Sequence, residues 1–254
     1  MSETVVRPER TVRFGPAAHE VYDVYAAGAP GPWVVLIHGG FWRAEYDRSH
    51  LRPLARALAG AGCPVALVEY RGIDTGTLRH PHAAPRGADT VDDAVRAVQQ
   101  VLEREQPAAA RVVGHSAGGH LALLAAHRLA PDPRLTAVVS LAGVLDLARA
   151  AALGLGDGVV HVFAGGTPQE VPETYAALDP AALGHAPVPV TAVHGALDED
   201  VPAEVSRSWL RRAGLSGRDR LVEVAGSGHF ELIDPDSAAW PVVLAETTAR
   251  TVRG

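Results

Sequence analysis

Two residue types are missing from this chain of 254 residues, and a third is nearly missing. All 23 basic residues are arginine, so there is no lysine, and there is no asparagine. Without lysine there can be no Schiff base, no pyridoxal phosphate chemistry, no Ser–Lys dyad and no P-loop lysine. Without asparagine there is no N-glycosylation acceptor. Cys63 is the single cysteine. It excludes an intrachain disulfide, a cysteine-rich zinc site and an iron–sulfur cluster, and fits a reducing interior. No apolar run reaches the ~18 residues of a membrane span, and Met1 to Gly15 lack a signal-peptide core. The net charge of −6 carries no basic run that would meet a nucleic acid. The expectation is a soluble cytoplasmic protein, with no nucleic-acid or membrane partner.

What is present is an alternation of apolar runs with helical patterns. Strands are expected at Thr11 to Phe14, Val21 to Tyr25, Val34 to Ile37, Val65 to Val68, Arg111 to Val113, Ala137 to Leu141, Val190 to His194 and Leu221 to Val224. Leu51, Leu54, Ala55 and Leu58 recur at helical spacing. Thr90 and Asp93 read as a capping box opening a helix whose stripe is Val91, Val95, Val98, Val101 and Leu102, and Asp92 and Asp93 then serve its first turn. Further helices are expected at Leu121 to Leu129, around Ala203 to Ala213, and from Asp236 to the end. Residues 146–184 read as a short cap insertion over one edge. With no repeat and no composition shift, residues 1–254 read as one domain: an α/β fold on a mostly parallel sheet, covered by helices on both faces.

The strongest chemical signal is Gly114-His115-Ser116-Ala117-Gly118-Gly119, between an expected strand and an expected helix. A serine on so sharp a turn needs small neighbours, and the following helix aims its first N–H groups at developing negative charge. His38-Gly39-Gly40-Phe41-Trp42 follows a strand end and can offer the N–H groups of Gly40 and Phe41, with that of Ala117, as an oxyanion hole. The order serine, acid, histidine then selects Asp198, 82 residues on, and His229, the only histidine after it and 31 residues further. Glu199, Asp200 and Asp146 compete for the role of the acid, with Asp200 also readable as the start of the next helix. His115 is expected to point away and hold the turn. His80-Pro81-His82 has metal-like spacing without a third ligand, so no metal or cofactor is expected. Cys63 reads as a packed thiol, and Trp42, Tyr46 and Phe230, with Phe41, as an aromatic wall for substrate.

Taken together, His38 to Trp42, the stretch 114–121, His194-Gly195-Ala196-Leu197-Asp198 with Val201-Pro202, and Gly228-His229-Phe230 resemble the α/β-hydrolase superfamily over about residues 20 to 240. The loop at 38–42 looks most like that of kynurenine formamidases (arylformamidases) and their carboxylesterase relatives. The resemblance implies that Ser116, Asp198 and His229 form a triad, and that the substrate is a small ester or amide, with an arylformamidase acting on N-formylkynurenine-like substrates among the activities it implies. Rival expectations are a general carboxylesterase, a small prolyl-oligopeptidase-like peptidase and a ligand receptor on the same fold. The sequence is compatible with a homo-oligomer.

Overall fold

The computed structural model describes residues 7–28, 31–74, 87–214 and 217–249. Eight strands form one sheet in the order β1-β2-β4-β3-β5-β6-β7-β8. They are β1 (Arg10–Arg13), β2 (Val21–Tyr25), β3 (Trp33–Ile37), β4 (Val65–Val68), β5 (Ala110–His115), β6 (Leu135–Leu141), β7 (Val190–Gly195) and β8 (Arg220–Val224). β1 pairs with β2 and β2 with β4 antiparallel, and every later pairing is parallel. Strands buried on both faces explain the runs of β-branched residues. Val34 and Leu36 point to one side, against Leu54 and Leu58, while Val35 and Ile37 point to the other, against Val98 and Leu121.

The first side is covered by α1 (Arg52–Gly60) and α9 (Trp240–Thr248), and the second by α2 (Gly87–Glu105), α3 (Ala117–Leu129) and α8 (Glu204–Arg212). Four short helices lie between β6 and β7: α4 (Leu147–Ala152), α5 (Val159–Ala164), α6 (Pro172–Leu178) and α7 (Pro180–Leu183). This is the α/β-hydrolase fold. Strand order reverses about β3, which sits between β4 and β5, so the loops after β3 and β5 open a crevice at the carboxyl end of the sheet.

Several sequence expectations need correction. α2 is already helical at Gly87, so Thr90 lies inside it and gives its hydroxyl to the Arg71 carbonyl (2.9 Å) instead of capping. Asp92 and Asp93 pair with Arg128 and with Arg71 and His19. In the α2 stripe Val95 is only partly buried, and Ala94 and Ala97 take the core positions. The segment 146–184 does not lie over a sheet edge, since β6 is an inner strand; its helices pack on α2, α3 and α8. The last helix begins at Trp240, because Asp236 closes a turn on Asp234 and Pro241 suits a first helical turn. His80 and His82 lie outside the described residues, among which no group of His, Cys, Asp and Glu side chains is placed to hold a metal. Among the described residues no helix is long and apolar enough to cross a membrane.

Candidate active site

Ser116 occupies the one-residue turn between β5 and α3, at φ 54° and ψ −121°. A non-glycine residue held there is strained by the order of 1–3 kcal/mol, and its surroundings must over-determine it. They do. Its N–H donates to Leu141 O (2.8 Å), and its carbonyl accepts from Gly119 (2.9 Å) and Val144 (3.3 Å). The flanking glycines are steric requirements: a Cβ on Gly114 would stand 2.0 Å from Gly118 O, and one on Gly118 would stand 2.2 Å from Ile37 O. As the first residue of α3, Ala117 has no acceptor inside the helix for its N–H. Across the crevice Gly40, Phe41 and Trp42 take φ of 104°, 48° and 57° in succession. Gly39 crosses so close to the serine that a Cβ there would stand 2.9 Å from the Cβ of Ser116.

The β7 and β8 ends supply the other two members. Gly195 lets them meet, since its Cβ would stand 2.2 Å from Gly228 O. Nδ1–H of His229 donates to Asp198 Oδ2 (2.7 Å), which leaves Nε2 to face the cleft that His229 and Ser116 both line. The other oxygen of Asp198 accepts the N–H groups of Asp200 (3.0 Å) and Val201 (2.8 Å), and His194 Nε2 lies 3.3 Å from Oδ2. Burial weakens the acidity of Asp198, but hydrogen bonds from His194 and His229 outweigh it, and the carboxyl is held well below the usual range. Ser116, Asp198 and His229 are thus brought together, each at least nine-tenths buried.

The competing acids are placed elsewhere. Asp146 is fully buried, caps α4 through Arg149 N–H (2.8 Å), accepts from Ser208 (2.6 Å) and pairs with Arg212. Glu199 and Asp200 stand exposed on the cleft rim with Asp157, and α8 begins only at Glu204, so Asp200 does not start that helix.

The cleft holds about 630 Å³, within the range of small-molecule sites. Phe41, Tyr46 and Phe230 line it as expected, and Tyr46 and Phe230 are exposed. Trp42 does not. The positive φ turns its indole under the loop, fully buried, stacked on Phe163 at 4.3 Å and edge-on to His120 at 5.2 Å. Trp42→Ala should therefore cost about 3–5 kcal/mol in denaturant unfolding and leave substrate preference alone. A relaxed acyl-chain preference without loss of stability would contradict this placement. His115 also departs from expectation. It faces the cleft, its ring 4.6 Å from that of His229, with Nε2–H donating to His229 O (3.1 Å), and burial, then the nearby His229, holds it well below the usual histidine range. Sequence reasoning missed His50, Arg43, Leu155 and Ile233 among the lining residues. Only the Gly154-Leu155-Gly156 turn left a trace of its role. Arg43 ties that turn to the loop after β3 by donating to Gly156 O (2.8 Å), and a Cβ on Gly156 would stand 3.0 Å from the Phe41 ring.

Comparison with known proteins places the chain in a family. Over 129 residues the chain is 35% identical to the carboxylesterase/phospholipase LipF of Mycobacterium tuberculosis, a match that takes in 50% of this chain and 32% of LipF, so the chain spans about a third of that relative. It is 31% identical over 218 residues to the uncharacterized protein Rv2307c of the same species, covering 84% of this chain and 69% of the relative. Among solved structures, the esterase Est2 of Thermogutta terrifontis with propionate bound superposes with a TM-score of 0.66 over 92% of each chain at 22% identity, which speaks for the fold. The BD-FAE family model matches residues 20–212, and the chain belongs to that family.

Proposed function

We propose that this protein is a serine esterase that hydrolyses small acyl esters through an acyl-enzyme. The observation that carries the reading is the strained Ser116 at the floor of a cleft that the Asp198-held His229 also lines. Ser116 attacks the carbonyl carbon while His229 Nε2 takes its proton and then delivers it to the leaving oxygen. Asp198 keeps the proton of the neutral imidazole on Nδ1 and stabilises the imidazolium as it forms. The N–H groups of Gly40, Phe41 and Ala117 receive the negative charge on the carbonyl oxygen, each worth about 3–4 kcal/mol in the transition state. Water, activated by His229, then releases the acid.

The substrate class follows from the wall beside the serine. Phe41 lies on the Gly156 turn and Leu155 lines the same cleft, so one side of the reacting carbonyl is crowded. Tyr46 and Phe230 leave an open aromatic side for the leaving group. Each methylene forced into a filled pocket typically costs ~1–3 kcal/mol. kcat/KM should therefore fall at least about tenfold from acetyl to octanoyl aryl esters, and Phe41→Ala should soften that fall. Octanoyl esters preferred by the unmodified enzyme would sink the crowded-pocket reading and favour a general carboxylesterase. The likeness of the 38–42 loop to arylformamidases extends the proposal to N-formyl aryl amines, and N-formylkynurenine belongs in the same substrate panel.

A further inference from the structure

Beneath the loop that carries Gly40 runs a buried chain of charges that the mechanism above does not use. Asp23 on β2 accepts from Thr11 Oγ1 (2.6 Å) and pairs with Arg48 (3.0 Å) and the partly exposed Arg52 (3.5 Å). Glu69, just after β4, accepts at Oε2 from the N–H and Nη1 of Arg48, both at 3.1 Å. Its Oε1 lies 2.5 Å from His38 Nε2 and accepts the Tyr70 N–H at 3.3 Å. The other ring nitrogen of His38, Nδ1, lies 2.8 Å from Gly39 O.

These partners hold the His38 ring at both of its nitrogens. Burial works against ionisation of Glu69, but the hydrogen bonds from His38 and Arg48 prevail and hold its carboxyl below the usual range. The Tyr70 ring stacks on His38 at 4.2 Å and 11°. The remaining groups beside His38 come from the 3-10 turn at Arg48–Leu51: Asp47 caps that turn, and His50 lies edge-on at 5.7 Å.

The Tyr70 hydroxyl, which burial keeps protonated, donates to the carbonyls of His38 (3.0 Å) and Gly39 (3.2 Å). Gly39 O is thus gripped from two sides. A trans peptide is planar, so its C=O and the next N–H point in opposite directions. We propose that His38 is a positioning residue: paired with Glu69 and stacked on Tyr70, it holds the Gly39 carbonyl and so aims the Gly40 N–H at the oxyanion. This rests on the proposed role of Gly40 as an oxyanion donor.

Tyr70→Phe should lower kcat about tenfold with KM and Tm nearly unchanged, the scale of a modest misplacement at the reacting centre. Glu69→Gln keeps the shape of the side chain but loosens its hold on His38, and should show the same split between kcat and KM. Loss of stability or a raised KM with a wild-type kcat in both variants overturns the positioning role. Should Glu69→Gln fail to fold, Tyr70→Phe still decides. A wild-type protein without esterase activity would refute the proposed function instead.

Discussion

Ser116→Ala should abolish ester hydrolysis, with kcat falling by about 10⁶ while the fold survives. The size follows from the cooperative nature of a serine–histidine pair, in which loss of the nucleophile costs about as much as loss of the whole triad. The structural cost is small because the side chain fills little space and the turn is held through its backbone, by bonds to Leu141, Gly119 and Val144. Alanine keeps the same φ of 54° and the same strain, so the unfolding midpoint should stay close to that of the parent protein. Steady-state kinetics beside thermal unfolding checks both halves. Activity within tenfold of the parent in a folded variant would remove Ser116 from the reaction.

Asp198→Asn should lower kcat by about 10⁴. Asparagine is nearly isosteric and can still accept the Asp200 and Val201 N–H groups with its oxygen. Its amide nitrogen then faces His229 Nδ1, which must become an acceptor. The imidazole proton moves to Nε2, and the ring can no longer take a proton from Ser116. Asp200→Asn should change kcat less than about threefold, because its exposed side chain stands on the rim and only its backbone N–H meets Asp198. The reverse order of effects would make Asp200 the acid. The comparison is informative because the two aspartates share one tight turn, so general damage to that turn should affect both variants.

The sheet was legible because its strands are buried on both faces, and such strands advertise themselves as β-branched runs such as Val34 to Ile37. The serine turn was legible for a steric reason: only glycine fits at 114 and 118. The start of α2 was misread because Thr90 and Asp93 have the spacing of a cap, while their partners, Arg71 and His19, come from distant segments. Trp42 shows another limit. A motif places a residue next to the oxyanion loop, but three successive positive φ values decide where its ring goes, and that depends on Phe163 in α5 and His120 in α3. His115, Leu155 and Ile233 enter the cleft through contacts between parts of the chain far apart in sequence. The same holds for the links from Asp23 through Arg48 and Glu69 to His38, whose members are scattered over the middle of β2, the ends of β3 and β4, and a turn.

The central claim is that Ser116 is activated by its surroundings, and its most direct test is the site of attack by a fluorophosphonate. The wild-type protein, treated briefly with a small excess of the probe and digested, should carry the phosphonate on the single peptide containing Ser116, at full occupancy and with parallel loss of ester hydrolysis. Slow, partial labelling spread over several serines, or rapid labelling of a residue other than Ser116, would contradict the account.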